Sequence, residues 1–181
     1  MTGALLWGKL PAHGDFVSRG IEPATRDELD GWLAGSLAQA RAAVGEAWED
    51  RYDEAPPWRF AWAEGERWTA GALAPSADGV GRRYPILIAL RGLDGAQVEH
   101  AADLAENLLY DALGEEWDAD RLHAAILALS PEPLMAWAGG EGWWTLGAQG
   151  FNEAWLVGAR PAGLMSAVLT RAAPTGGSLH A

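Results

Sequence analysis

The segment WRFAWAEGERWTAGALA, from Trp58 to Ala74, carries the clearest strand pattern in the chain. Aromatic side chains alternate with other residues as far as Trp62, and a short turn around Gly65 leads into a second alternating run. A period of two residues on both sides of a glycine turn is typical of a β-hairpin. The continuous apolar run from Pro85 to Leu90 predicts a further strand, buried on both of its faces.

Helical spacing dominates on either side of this hairpin. The segment Thr25–Glu28 has the form of a capping box and predicts the start of a long helix, which Gly45 interrupts or ends. Val98–Gly114 predicts a second long helix, and Asp118 is placed to cap a third. A last helix is expected after Pro161.

Three further segments predict strands, namely 4–10, 143–146 and 154–158. The predicted order is therefore β-α-β-β-β-α-α-β-β-α, which mixes hairpins with crossovers. This order favours one α/β domain in which a mixed, partly antiparallel sheet is sandwiched between helices. We expect residues 1–172 to form this single domain and residues 173–181 to be a frayed tail.

Composition excludes several classes of function. The formal net charge of −12 disfavours a role on nucleic acid or on anionic lipid, because both carry charge of the same sign. The chain has no cysteine, which excludes disulfides, thiolate zinc sites and cysteine nucleophiles. Its longest apolar run, Tyr84 to Leu90, is far shorter than a bilayer span, and its first residues do not resemble a signal peptide. We therefore expect a cytoplasmic protein without membrane insertion.

The chain contains 11 tryptophans in 181 residues, which is unusual. Packing in the core and on helix faces is the expected role for most of them. An exposed subset that serves as a binding surface is the alternative, since tryptophan is enriched at the energetic centres of protein interfaces.

The segment WGKLPAHGDFVSRG, from Trp7 to Gly20, resembles a phosphate-binding loop at first sight. A Walker loop needs GxxxxGK[ST], whereas Gly8-Lys9 is followed here by Leu10, and the GxGxxG pattern is also absent. The glycines of GVGRR (79–83) lead into a strand rather than a helix. The spacing therefore disfavours a nucleotide site, and we expect no cofactor.

Acid–base or metal chemistry is the next alternative. His13 and Asp15 flank a glycine, and Ser76 and Asp78 share a second loop, so a metal- or serine-dependent hydrolase or phosphatase-like enzyme built on these loops is an open alternative. Such metal enzymes need several further ligands, and this chain has only four histidines. We expect His13 to be a solvent-facing turn residue, and Ser76 and Asp78 to bond to their own backbone.

The two polar loops, 11–19 and 74–83, each follow an apolar strand and each contain aspartate and arginine. We expect ion pairs across the mouth of one sheet, in which Asp15 and Arg19 matter more than Lys9 and His13. A rigid polar patch of this kind suits protein recognition at least as well as catalysis. The residues expected to pair are Asp15, Arg19, Asp78 and Arg82.

The segments GKLPAHGDFVSRG, APPWRF and APSADGVGRRYPILI occur in this order between residues 8 and 88, and together they resemble the TagF (ImpM) family of type VI secretion accessory proteins. The family pattern is approximately GKxPxxGDFxxR, then WRF, then PSxDxVGRxFPL. The second long motif departs from it at Gly79 and Tyr84, and the C-terminal half matches only loosely. The motif positions, taken as a candidate interaction site, are Gly8, Lys9, Pro11, Gly14, Asp15, Phe16, Arg19, Trp58, Pro75, Ser76, Asp78, Gly81, Arg82 and Pro85.

The resemblance implies a three-layer α/β/α sandwich and a non-catalytic protein without cofactors. It further implies a cytoplasmic regulator that acts after translation to restrain the type VI secretion machine. The implied partners are regulatory proteins of that machine, with a forkhead-associated-domain protein as the suspected one.

Overall fold

A single sheet of seven strands organises residues 3–171, the part of the chain that the computed structural model describes. The strands are β1 (Gly3–Gly8), β2 (Val17–Arg19), β3 (Trp58–Glu64), β4 (Arg67–Ala74), β5 (Ile86–Leu93), β6 (Gly142–Thr145) and β7 (Ala154–Val157). The predicted hairpin, the buried strand after Pro85 and the two late strands are thus confirmed. The sequence pattern missed β2, because three residues are too few to display a period. The tail predicted at 173–181 lies outside the described residues.

The strands lie in the order β2-β1-β5-β4-β3-β6-β7, and every neighbouring pair is antiparallel. The α/β class is therefore confirmed, but the expectation of a mixed sheet was wrong. Four of the six pairs join strands that are consecutive in the chain and are connected without a helix. Such connections return the chain in the opposite direction, whereas a parallel pair needs a long crossover.

Five α-helices accompany the sheet in the described part of the chain: α1 (Pro23–Val44), α2 (Trp48–Glu54), α3 (Val98–Gly114), α4 (Ala119–Ala128) and α5 (Leu164–Val168). The predicted ends at Gly45 and Gly114 are confirmed, and the Asp118 side chain caps α4 by accepting the N–H of Arg121 at 2.8 Å. The capping box predicted at Thr25–Glu28 was wrong, because α1 begins earlier. Pro23 occupies its first turn, where a fixed φ favours the helix and no N–H is needed.

The buried side chains form two clusters, which the alternation of the strands separates. In β1, Leu6 belongs to the first cluster and Trp7 to the second. In β5, Ile88 likewise belongs to the first cluster and Leu87 to the second. Helices α3 and α4 contribute to the first cluster, and α1, α2 and α5 contribute to the second. Helices therefore contribute to both clusters, and β5 contributes buried side chains to both, as its apolar run predicts.

The tryptophans lie mainly in these clusters, as expected. Five are buried and five are partly buried, whereas Trp155 leaves 40% of its surface exposed. No helix within residues 3–171 is long and apolar enough to cross a membrane.

The centre of the sheet tolerates no side chain at Gly71 of β4. A Cβ atom at this position would lie 2.0 Å from the carbonyl oxygen of Ile88 on β5. We expect Gly71→Ala to lower the free energy of unfolding by about 2–4 kcal/mol, because β4 must move away from β5. Urea denaturation followed by circular dichroism measures this change.

Gly31 provides the matched control, since it is exposed on α1 and a Cβ there meets nothing within 4 Å. Gly31→Ala is expected to raise stability by about 0.5–1 kcal/mol, because alanine favours the helix. Equal stability of the two variants would contradict the close approach of β4 to β5.

Candidate functional site

The two motif loops meet at one end of the sheet. The first connects β1 to β2 and the second connects β4 to β5, and β1 pairs directly with β5 through Gly8 and Ile86. The Gly79 N–H donates to the carbonyl of His13 at 2.7 Å, and the Ser76 hydroxyl donates to the carbonyl of Lys9 at 2.8 Å. The expectation that the two loops form one patch is therefore confirmed for this part of each loop.

A buried ion pair lies at the centre of this patch. Lys9 is the only lysine of the chain, and its Nζ lies 2.8 Å from Oδ2 of Asp78. The two side chains expose 8% and 0% of their surface. Arg82 donates from Nε to the same oxygen at 2.7 Å, although 60% of its own side chain is exposed. The Asp78 carboxylate is therefore shared between a buried cation and a surface cation.

The second oxygen of Asp78 organises its own loop. Its Oδ1 accepts the backbone N–H groups of Val80, at 3.2 Å, and of Arg82, at 2.9 Å. Asp78 therefore bonds to its own backbone, as expected, while Ser76 bonds instead to the other loop. Gly81, with φ of +82°, completes the turn in a conformation that glycine adopts without strain.

The pKa of Asp78 reflects these contacts. Burial of the carboxylate alone would raise its pKa. Hydrogen bonds from Lys9, from the backbone and side chain of Arg82 and from the backbone of Val80 outweigh burial, so the pKa lies well below its ordinary value. Asp78 is therefore the anion around which both loops are arranged.

Arg82 and Gly8 bring the loop backbones together. The Nη2 of Arg82 donates to the carbonyl of Gly14 at 2.5 Å, so one arginine contacts both loops. Gly8 has φ of +137°, and a Cβ there would lie 2.1 Å from the carbonyl oxygen of Pro85. Glycine is thus required where β1 enters the first loop.

Two of the four predicted ion-pair residues lie apart from this centre. Asp15 is exposed, and its side chain accepts only the neighbouring N–H of Phe16 at 2.8 Å among the described contacts. Arg19 donates instead to Asp120 at the start of α4, at 2.8 and 2.9 Å. The prediction was therefore correct that Asp78 and Arg82 pair, but wrong that this pair joins the two loops, and it was wrong for Asp15 and Arg19. It also ranked Lys9 too low, because nothing in the sequence showed that its side chain turns inward.

His13 is also placed differently from the prediction. Rather than facing solvent, it is partly buried, and its Nε2 accepts the backbone N–H of Ala119 at 3.0 Å. Ala119 is the first residue of α4, where the N–H groups have no partner within the helix. His13 therefore connects the first loop to a helix that lies more than a hundred residues away in sequence.

Phe16 forms the outer surface of the patch. Its ring contacts Trp7 in a stacked arrangement at 5.9 Å and Tyr84 edge-on at 4.8 Å, and Lys9 Nζ lies 5.0 Å from its centre. Even so, 45% of Phe16 remains exposed. An adjoining cavity of about 250 Å³ reaches α1 and is lined by Trp7, Phe16, Ser18, Arg26, Asp27 and Asp30. This combination of rigid support and exposed aromatic surface is typical of an interface anchor.

The remaining motif residues lie in the core or in the loops. Trp58 is buried in the second cluster, and its neighbour Arg59 reaches the other face, where it forms ion pairs with Asp103 and Glu106 of α3. Pro11 and Pro75 are partly buried at the loop ends, and Gly14 is exposed.

Sequence reasoning missed two tyrosines that support the second loop. The Tyr52 hydroxyl donates to the carbonyl of Ser76 at 3.1 Å, and the Tyr84 hydroxyl donates to Asp30 of α1 at 3.0 Å. Burial raises the pKa of both hydroxyls, so both remain protonated donors. The one available signal in the sequence was Tyr84, where the family pattern has phenylalanine, because only tyrosine carries this hydroxyl.

The groups proposed for hydrolysis are engaged in these contacts. Ser76, Asp78 and His13 each direct a polar atom to another part of the fold, and Asp15 lies on the surface. Within residues 3–171, no group of three or more histidine, aspartate and glutamate side chains is placed to hold a metal ion.

Comparison with known proteins now identifies the family. The model of the TagF N-terminal domain, described as type VI secretion system-associated, matches residues 6–129. The chain belongs to the TagF family. No curated protein sequence gives a significant match. Among solved structures, the TagF-family chain resembles PA0076 from Pseudomonas aeruginosa PAO1, with a TM-score of 0.74 and 25% identity over 98% of this chain and 100% of that one.

The buried ion pair supplies a direct test of this architecture. Lys9→Met leaves the Asp78 carboxylate buried without its buried cation, which is far more costly than losing a surface pair. We expect the melting temperature of the TagF-family chain to fall by about 10 °C. Thermal unfolding followed by circular dichroism measures the change.

Arg82→Met is the matched control, because it removes the exposed cation from the same carboxylate. Its expected loss is only about 2–4 °C, since solvent compensates for an exposed arginine. A larger loss for Arg82→Met than for Lys9→Met would contradict the central position of Lys9.

The pH dependence of stability follows from the lowered pKa of Asp78. A carboxyl group with a lowered pKa in the folded state stabilises the fold above its ordinary pKa, near 4, and this contribution is lost as the pH falls further. We expect Asp78→Asn to be less stable at pH 7. We also expect the unfolding of this variant in acid to take up about one proton fewer than the unfolding of the unsubstituted protein. Urea titrations between pH 7 and pH 2 measure both effects.

Asp53→Asn is the comparison variant, because Arg83 also lowers the pKa of Asp53, by a hydrogen bond at the surface. We expect it to change stability at pH 7 much less than Asp78→Asn does. Identical acid unfolding of Asp78→Asn and the unsubstituted protein would contradict the assignment of the low pKa to Asp78.

Proposed function

We propose that this TagF-family chain is a cytoplasmic accessory protein that restrains the type VI secretion machine after translation by binding one of its regulatory proteins. The family assignment supports the association with type VI secretion. The observation that carries the binding role is the exposed ring of Phe16, held by Trp7, Tyr84 and Lys9 on a patch built from the family motifs. The proposed partner is a forkhead-associated-domain protein of the same secretion system.

The proposed mechanism is non-catalytic. The charged groups at the centre of the patch bond to one another and to loop backbone, so they fix the shape of the surface rather than face a substrate. Phe16 and the Asp15 carboxylate beside it remain exposed for a partner. A preorganised loop loses little conformational entropy on binding, which favours specific association.

Phe16→Ala is the variant that tests this role. We expect at least a tenfold loss of affinity for the forkhead-associated-domain protein, because truncation of an aromatic anchor typically costs more than 1 kcal/mol. Affinity is measured by titration calorimetry with both proteins purified. In parallel, the variant is expected to fail to suppress type VI secretion when it replaces the native protein in cells.

Tyr110→Ala is the matched control, since Tyr110 is an aromatic residue of α3 with 53% exposure. It should retain both binding and suppression. If Phe16→Ala and Asp15→Lys stay folded and bind as Tyr110→Ala does, the motif patch is not the interface.

A further inference from the structure

Within residues 3–171, the last strand of the sheet has an open edge. Among the described residues, β7 pairs only with β6, so the backbone groups along its outer side face no other strand. Proteins usually protect such edges with charged side chains, proline or a bulge. The sequence of β7, Ala-Trp-Leu-Val from Ala154 to Val157, contains no charge and no proline, and its pairing with β6 is regular.

The same edge exposes apolar side chains. Trp155 and Val157 are two residues apart and therefore point to the same face, and they expose 40% and 80% of their surface. Leu146, just after β6, exposes 65%. A groove of about 370 Å³ lies beside them, lined by Trp144, Thr145, Leu146, Glu153, Ala154 and Trp155.

Trp155 is held in place by other aromatic rings. It stacks on Trp144 at 5.3 Å with an interplanar angle of 22°, and it contacts Trp137 at 5.7 Å. A Cβ atom on Gly142 would lie 2.7 Å from the Trp155 ring, so this glycine provides the space for the indole. The exposed ring is therefore preorganised, which lowers the entropic cost of binding.

A carboxylate lies at the start of β7, where Glu153 directly precedes the strand. Glu141 is adjacent to the other end through its backbone, but its carboxylate accepts the N–H of Ala63 on β3 at 3.0 Å, on the side of β6 away from β7. Both glutamates are exposed. The nearby cation, Arg160, forms an ion pair with Glu28 at 2.9 Å. The local charge therefore favours an occupant that carries positive charge at the end near Glu153.

A second copy of the chain fits this edge poorly. It would bring a further formal charge of −12 and a second Glu153 carboxylate. Four residues of strand extend only about 13 Å, whereas stable interfaces between folded proteins bury about 1,200 Å² or more. A short extended segment needs far less area, because its main-chain hydrogen bonds provide affinity and alternate side chains provide specificity.

We propose that β7 is a docking edge for an extended segment of a partner protein, which adds to the sheet as an eighth strand. The segment pairs about four residues with Ala154–Val157, places apolar side chains over Trp155 and Val157, and carries lysine or arginine near Glu153. This edge is opposite to the β2 edge of the sheet and lies outside the residues matched by the family model. It is therefore independent of the motif patch.

A labelled peptide tests the edge directly. The probe is a fluorescein-labelled Lys-Thr-Val-Thr-Val-Thr-Lys peptide, and its binding to the full chain is followed by fluorescence anisotropy. We expect Val157→Lys to weaken binding at least tenfold, because lysine both removes apolar contact and repels the basic peptide. Two control peptides are used with the unsubstituted protein. One has glutamate in place of lysine, and the other has alternate backbone nitrogens methylated. Both should bind more weakly than the original peptide.

Val80→Lys is the matched control, because Val80 is a valine of the second motif loop with 72% exposure. It should bind the peptide as the unsubstituted protein does, and both variants should keep their melting temperature. Absence of peptide binding, or equal binding by Val157→Lys, would overturn the proposal. A dimer in sedimentation equilibrium that Val157→Lys dissociates would also overturn it, in favour of a second copy at the edge.

Discussion

The ion pair between Lys9 and Asp78 is the interaction on which the arrangement of the motif loops depends. Removing two charges from water is costly, and the cost is offset only when each charge finds close partners. Asp78 finds a cation on one oxygen and two backbone N–H groups on the other. Lys9 stands directly after β1, and Asp78 lies in the loop that precedes β5. Since β1 and β5 are neighbours, the pair joins two strand ends at one place.

This arrangement explains the types of residue found in both motifs. Gly8 is required because β1 passes too close to Pro85 for any side chain. Arg82 extends the network to the surface and reaches the backbone of the first loop at Gly14. Phe16 packs over Lys9, so that the exposed aromatic surface rests on the buried charge. The proposed interaction surface and its rigid internal support thus depend on the same residues.

The two proposed binding surfaces differ in their physical basis. The motif patch presents side chains whose positions are determined by a polar network, and its recognition therefore depends on shape. The β7 edge presents main-chain groups beside Trp155, and its recognition depends on strand pairing. The two surfaces lie toward opposite edges of one sheet, which allows one small domain to contact two partners, or two segments of one partner.

Local patterns in the sequence were sufficient for much of the fold. The alternation after Trp58, the apolar run after Pro85 and the helix cap at Asp118 each depend on near neighbours in the chain, and each was confirmed. The start of α1 was misplaced because Pro23 determined it more strongly than the capping-box pattern. The position of the two polar loops after apolar strands predicted that they meet, and the resemblance of the motifs predicted the TagF family.

Partners that are far apart in sequence were decided only by the tertiary structure. Nothing near Lys9 indicates that its amine is buried against a carboxylate 69 positions later, and nothing near His13 indicates that it caps a helix beginning at Ala119. The ion pair predicted for Arg19 was wrong for the same reason, because its partner, Asp120, is far away in sequence. An acidic chain of this kind offers many carboxylates to a surface arginine. The sequence by itself determined most of the strands, helices and loops, because these depend on local spacing. The fold decided which charges meet, because that depends on strand order and on which side chains lose contact with water.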